Sequence, residues 1–445
     1  MSLRTLIVFS FFILVAGCGG GGGSPSTANT DQEAEKTWVR SYLDGQYLWY
    51  NEIVDVQPAN YPGAADYFYA LLVKSRDRFS FTMTAAKAQS LMQEGQDVGF
   101  GVKWGWVNGN RLFAFYVDPN SPAAASIVRG TELTAVNGRS LPAMTPAELG
   151  DVLFPDTAGV PVAFTISQPN ATLTTVTLTS SSFSLTTVEP PRIITLPGVG
   201  KVGYLLFNEQ LKTSENQLIS AMTYFQQQGV NELVLDLRYN TGGYLFIAEE
   251  VASMIGGAAV QGAVFEKLLF NSKHQVDTNN PANTFLFSNF DRSGNLIPEL
   301  GFARLFVLTG STTCSASESI INGLLPHIGI VRIGGTTCGK PYAFHQANFD
   351  QNAYFAIDSK GVNSAGTSNY ESGFAPTCQV NDDIGNTLGN ASEARLKAAL
   401  YYIQNGTCPA GTAFPLQKQP VGKEPAGSSD QLLLGQRPGV KIVAE

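Results

Sequence analysis

Leu305-Phe306-Val307-Leu308-Thr309-Gly310-Ser311-Thr312-Thr313-Cys314-Ser315-Ala316-Ser317-Glu318, running on to Leu325, is the stretch whose reading decides the fold. Leu305 to Leu308 is an apolar run of strand length. A loop of small residues follows. Ser315-Ala316-Ser317-Glu318 then has the form of a helix start, with Ser at the N-cap and Glu three residues on. The helix runs to about Leu325, and Ile330 to Ile333 is the next strand. The same grammar appears earlier. Val202 to Phe207 reads as a strand, Gln217 to Gln228 as a helix and Leu233 to Leu237 as a strand. Asn240-Thr241-Gly242-Gly243 and a helix from about Tyr244 to Ile255 follow. Such alternation makes an α/β domain, here over residues 190–408, with functional loops at the C-terminal ends of the strands. Residues 256–303 are polar and Asn-rich and read as a loop-like excursion. Residues 393–404 read as a closing helix, with Leu396, Ala399, Leu400 and Ile403 on one face.

Ser315 is the sharpest candidate nucleophile, because a hydroxyl at a helix N-terminus faces N–H groups that stabilise negative charge. The bland alternative is an N-cap, and Glu318 completes a capping box. Lys340 shifts the balance. It lies 25 residues later, just past the strand Ile330 to Ile333, in Gly339-Lys340-Pro341. A strand–Ser–helix–strand–Lys path returns the chain beside its first strand and can bring the amine to the hydroxyl. A Ser–Lys dyad needs a neutral lysine, so desolvation must lower its pKa from about 10.4.

Composition narrows the remaining classes. The chain has 445 residues, of which 44% are hydrophobic, 11% aromatic and only 14% charged, which argues against wholesale disorder. A net charge of -8 argues against a nucleic-acid partner. The one long apolar run is Leu6 to Ala16, so a polytopic membrane protein is excluded. No Cys-x-x-Cys spacing exists, and His274, His327 and His345 do not cluster, so no metal site is expected. No organic cofactor is expected either. The four cysteines Cys314, Cys338, Cys378 and Cys408 allow three pairings.

Ser315-Ala316-Ser317-Glu318, the spacing to Gly339-Lys340, and Asp236-Leu237-Arg238-Tyr239-Asn240-Thr241-Gly242-Gly243 together resemble the tail-specific, or C-terminal processing, serine proteases of peptidase family S41. Gly203-Tyr204 and Gly373-Phe374-Ala375-Pro376 fit the same pattern. The resemblance covers about residues 35–405. It implies a ClpP/crotonase-like α/β catalytic domain with an inserted β-rich PDZ-like domain and an N-terminal helical segment. It makes Ser315 the nucleophile and Lys340 the base. The oxyanion donors would be the N–H of Ala316 and one from the Gly242-Gly243 turn. The sequence departs from the family at three places. Phe344 stands where many relatives carry a lysine-orienting Gln, leaving Gln346 as the possible orienting residue. Pro326 stands where some carry Asp. Cys314 and Cys338 flank the dyad, and a dyad within proton-sharing distance would set them close. The expected disulfides are therefore Cys314–Cys338 and Cys378–Cys408. Two rival readings are a peptide-binding protein with a degenerate site and an esterase. The esterase lacks support, since Thr313 and Ser317 occupy the glycine positions of Gly-x-Ser-x-Gly. Ser-His-Asp catalysis ranks below the dyad, with only His327 and His345 nearby.

The other segments complete the expectation. Residues 1–17, with Arg4 and the apolar run, precede Leu14-Val15-Ala16-Gly17-Cys18 and resemble a bacterial lipoprotein signal. Cys18 would be lipidated and residues 18–30, rich in Gly and Ser, would be a tether. This implies anchoring to the outer membrane, facing the periplasm, with no other membrane contact. Residues 31–90 read as mainly helical, with an aromatic stripe of Trp38, Tyr42 and Tyr47 as a core face. Residues 91–185 read as short strands. Gly99-Phe100-Gly101-Val102, Asn120-Ser121-Pro122-Ala123-Ala124 and Val136-Asn137-Gly138 resemble a PDZ domain, whose Gly-rich loop would capture the apolar C-termini of polypeptide substrates. Thr131 stands where that family usually has an acidic residue. Residues 409–445 read as a partly ordered tail.

Overall fold

The computed structural model describes residues 27–169, 173–412, 431–433 and 440–442. The expected signal, Cys18, most of the tether and most of the tail lie outside the described residues. Among the described residues, no helix is long and apolar enough to cross a membrane.

A six-stranded sheet forms the centre. Its order is Arg192–Leu196, Gly200–Leu206, Glu232–Asp236, Arg304–Thr309, Gly329–Gly334 and Cys378–Gln379. The first pair is antiparallel and every later pair is parallel. Parallel pairing requires crossovers, and the helices Ser214–Gln228, Leu245–Gly256 and Ala316–Leu324 supply them. Side chains alternate across the sheet. Leu205, Leu235, Leu305 and Val307 enter one core with Leu218, Ile247 and Ile320. Tyr204, Val234, Phe306 and Leu308 face the other, closed by Leu396, Ala399, Leu400 and Ile403 of the helix Ala394–Asn405.

The helix Thr27–Gln46 starts inside the expected tether, where the helix-favouring run Gln32 to Lys36 carries it back. With the helix Ala64–Leu71 it places Val39, Leu43 and Phe68 in the same core as the crossover helices. The segment 256–303 differs from its expectation as a loop. It carries the strand Val264–Phe270, which joins Thr284–Leu286, Ser359–Val362 and Tyr342–Ala343 in a four-stranded sheet. Glu266 and Lys267 interrupt that strand's apolar run, and one of its two partners is almost a hundred residues away, so local pattern does not reveal it.

The inserted β domain has its own core, including Phe100, Trp104, Leu133 and Phe164. Antiparallel pairing of Gln96–Gly99 with Ser181–Ser184 ties its two ends together where it leaves the α/β domain.

Candidate active site

The strand Arg304–Thr309 ends at a loop stitched to the loop after Asp236. Thr313 Oγ1 donates to the Leu237 carbonyl at 2.8 Å and Thr312 Oγ1 to the Arg238 carbonyl at 2.7 Å. The Cys314 N–H donates to the Asn240 carbonyl at 3.2 Å. These bonds deliver Ser315 to the start of the fully buried helix Ala316–Leu324. Ser315 has φ 61° and ψ −117°, a combination that non-glycine residues avoid and that costs on the order of 1–3 kcal/mol. An ordinary N-cap sits in the extended region and donates nothing to strain. Here the Ser315 side chain makes no cap bond, and its buried Oγ has no hydrogen-bond partner. A buried hydroxyl left unsatisfied on a strained backbone is poor capping but suits a group awaiting a reactant.

Glu318 holds the site together. The Ser315 N–H donates to its Oε2 at 2.9 Å, and the Lys340 N–H to the same oxygen at 2.8 Å. Its Oε1 accepts from the Gly339 N–H at 2.8 Å and from Thr337 Oγ1 at 2.5 Å. One carboxylate thus sets the serine and lysine backbones side by side. Burial pushes the Glu318 carboxyl above its ordinary pKa, against the opposing pull of these four donors. The Cys314–Cys338 disulfide, with Cα atoms 5.1 Å apart, braces the same two loops. Cys378 and Cys408 form the second disulfide and tie the end of the closing helix to the last sheet strand. Cys314, Cys338 and Glu318 lie close enough to suggest a metal triad. Their ligand atoms are already committed, the sulfurs to each other and the carboxylate to its donors, so they do not fit one.

Lys340 is fully buried. Its Nζ lies 4.0 Å from the Phe344 ring centre and 5.3 Å from that of Phe79. Phe344 therefore packs on the amine, and the expected orienting residue was Gln346. Gln346 does not take over: it is exposed and donates to Asn348 Oδ1 at 2.9 Å. Position 346 lies in the link between two short strands, and beside it Asp358 accepts the His345 N–H at 2.8 Å and lies 2.6 Å from its Nδ1. Sequence reading also missed Arg78 and Phe79. Asp77 accepts the N–H groups of Phe79 and Ser80, each at 2.9 Å. This turn aims Phe79 at the lysine, and Arg78 Nη2 donates to the Cys338 carbonyl at 2.6 Å. An Asp followed by Arg-Phe-Ser was the available signal, but its target lies about 260 residues away.

Gly242 and Gly243 lie in the short strand Gly242–Tyr244 beside Gln210, at φ 101° and 144°. A side chain at Gly243 would collide with the Gln210 carbonyl. The two glycines are not equivalent. The Gly242 N–H donates to Asn240 Oδ1 at 2.9 Å, so it is already committed and departs from the expected oxyanion role. Ala316 is the first helical residue, where the N–H has no intrahelical acceptor.

The motif Asp236-Leu237-Arg238 is a structural anchor. Arg238 is fully buried and bonds Asp236, Glu393 and Asp382. Burial alone would raise Asp382, but Arg395, Arg238 and Arg129 hold it well below the usual carboxylate range. Arg129 comes from the inserted domain, as does Lys103. Lys103 Nζ donates to Glu209 Oε1 at 2.8 Å and to the Tyr239 carbonyl at 3.0 Å. Between the two domains lies a cavity of about 150 Å³, lined by Gly99, Phe100, Gly101 and Val102 on one side and Asn208 and Thr241 on the other.

The description Peptidase family S41 matches residues 201–380, and Peptidase S41 N-terminal domain matches residues 34–81. The chain belongs to peptidase family S41. A carboxyl-terminal-processing protease of this type from a Picosynechococcus strain is 27% identical over 224 residues. That alignment spans 50% of this chain and 49% of the relative, so the chain spans about half the length of the curated relative it matches. A crystal structure reported as a candidate S41 protease from Bacteroides fragilis superposes with a TM-score of 0.64 at 25% identity, covering 83% of this chain and 97% of that one. The photosystem II D1 C-terminal processing protease shares the fold, with a TM-score of 0.51 at 19% identity over 79% of this chain and 93% of its own.

Proposed function

We propose that this chain is a serine endopeptidase of the tail-specific type, cutting exported polypeptides through an acyl-enzyme. The observation that carries the reading is Ser315, strained, buried and unpartnered at its hydroxyl, joined through Glu318 to the loop that bears Lys340. In the proposed reaction Ser315 Oγ attacks a peptide carbonyl carbon and its proton passes to neutral Lys340 Nζ. Complete burial is the setting that disfavours a charged amine. The oxyanion is met by the N–H groups of Ala316 and Gly243. The C–N bond breaks as the lysine returns the proton to the leaving amine. Water then attacks the ester carbon, the lysine takes its proton, and as the C–Oγ bond breaks it passes that proton to Ser315 Oγ, regenerating the hydroxyl and the neutral amine. The PDZ-like domain would capture apolar C-termini at the Gly99 to Val102 loop and pass them along the inter-domain cavity. Lipidation at Cys18 would hold the enzyme at the outer membrane, facing the periplasm.

The test is cleavage of an unfolded reporter by the fragment from Ser24 onward, beside Ser315→Ala and Lys340→Ala. Wild type is expected to cut, and both variants to lose activity by about 10⁴-fold or more. Phe344 on the lysine favours one rival, a non-catalytic peptide-binding protein. A serine-directed covalent probe separates the two. Labelling that vanishes in Ser315→Ala supports the enzyme, whereas no labelling together with retained peptide binding supports the rival.

A further inference from the structure

Two short pieces of the chain's own C-terminal region are seated on the surfaces that a substrate would use. Gln431–Leu433 pairs antiparallel with the edge strand Val102–Val107 of the inserted domain, Gln431 opposite Trp106 and Leu433 opposite Trp104. That strand begins immediately after the Gly99-Phe100-Gly101 loop. Val440–Ile442 pairs parallel with Gly242–Tyr244, so that Gly243, the proposed oxyanion glycine of its turn, faces Lys441. The same three residues also lie against the helix Ala316–Leu324 and the strand Tyr342–Ala343. They are therefore enclosed by the glycine strand, the helix that follows Ser315 and the strand that follows Lys340.

The sequence is consistent with this placement. Residues 413–430 are rich in Pro, Gly and charge, the composition of a linker. Residues 431–445 change character, with Leu432, Leu433, Leu434, Val440, Ile442 and Val443. An apolar, β-prone ending on a polar linker needs a surface to cover it. Extended segments add to exposed sheet edges through main-chain bonds, which is how a peptide would be taken at both places.

We infer that Gln431–Leu433 and Val440–Ile442 are the seated parts of a tethered pseudosubstrate, which occupies the peptide-binding edge and the active cleft of the same chain and holds it closed to other polypeptides. The inference rests on the protease reading for its kinetic consequence but not for the occupancy itself. A tether gives an effective concentration in the millimolar range, so against a segment whose own affinity is about 10–100 μM an outside peptide must compete at a disadvantage of about 10–100-fold.

The test uses two opened forms, a chain ending after Pro425 and the full chain with Val440→Pro and Ile442→Pro. The second guards against a folding defect of the first. In a Ser315→Ala background, a fluorescent peptide of residues 429–445 is titrated into each. Both opened forms should bind it at least tenfold more tightly than the full chain. With Ser315 intact, both should cleave a reporter at least tenfold faster at limiting substrate. Tighter binding with no cleavage by any form would uphold the occupancy and sink the protease reading. Equal peptide binding by full and opened chains would overturn the inference, as would closure that strengthens with protein concentration, since the block would then come from a second copy.

Discussion

Glu318→Gln isolates the carboxylate that joins the nucleophile loop to the lysine loop. The native carboxylate accepts four donors, from Ser315, Lys340, Gly339 and Thr337. An amide keeps one acceptor oxygen and turns an NH₂ towards two of those donors. Two charge-assisted bonds are lost, at about 1.5–3 kcal/mol each. Relief of the buried charge offsets part of this, because burial already pushes the Glu318 carboxyl upward. A net loss of about 2–4 kcal/mol in unfolding free energy follows, read by urea denaturation. The kinetic effect should be larger than the stability loss suggests, because the remaining strain falls on the two residues that must share a proton. The expected result is a fall in kcat of about 100-fold, with KM changed only a few-fold. Labelling of Ser315 by a serine-directed probe should slow in parallel. A variant that kept kcat within twofold would refute the reasoning, whatever its stability, and would reduce Glu318 to an ordinary helix cap.

Ser315→Gly should abolish cleavage yet raise stability by about 1–3 kcal/mol, because glycine adopts φ 61° and ψ −117° without the strain borne by serine; a destabilised variant in thermal denaturation would mean that the backbone is not strained. Arg238→Ala should cost about 3–5 kcal/mol by leaving the buried carboxylates of Asp236 and Glu393 without their shared partner, measurable by urea titration. Lys103→Met, which keeps the stem but removes both bonds to the catalytic side, should lower reporter cleavage several-fold. The pH dependence of stability should carry the mark of Glu249 and Glu250. Burial raises Glu249 to about 7, and burial with the charges of Glu215 and Glu249 raises Glu250 to about 9. The folded state then holds protons that the unfolded state has released, so this contribution is full below about pH 4.5 and is lost as pH rises through 7 and 9. Glu249 alone accounts for about 3 kcal/mol across that window. Denaturation at pH 5, 7 and 9 should show falling stability that Glu249→Gln and Glu250→Gln flatten.

The sheet and its crossovers were legible because each strand carries a local signal. Leu233 to Leu235 and Leu305 to Leu308 are uninterrupted apolar runs, as strands buried on both faces require. Ser315 was legible for the same local reason, as a serine between an apolar strand and an apolar helix. What stayed hidden depends on contacts between distant residues. Glu318 looks like a capping residue in sequence, and only the return of Thr337, Gly339 and Lys340 onto its carboxylate makes it the hinge pin of the site. Phe79 gives no sign of facing a lysine far along the chain. Strand Val264–Phe270 was missed because a buried Glu266 breaks the pattern that marks its neighbours.

Gln346 and Gly242 show the complementary failure, in which a plausible residue type stands at nearly the right position but points elsewhere. Gln346 lies between the strands Tyr342–Ala343 and Ala347–Phe349 and reaches Asn348, while Phe344 covers the amine. In the glycine turn, the Asn240 side chain captures the first N–H and leaves the second. Both cases separate composition from direction. A motif says which groups are present, whereas hydrogen-bond commitments decide which of them remain available for chemistry. Available groups need protection as much as positioning. An unsatisfied Ser315 hydroxyl beside a glycine strand would be an open edge inside the protein if Val440–Ile442 did not pair with that strand. The chain's own residues 440–442 are the nearest extended segment able to close it, and opening that contact is the physical step on which access for any other polypeptide depends.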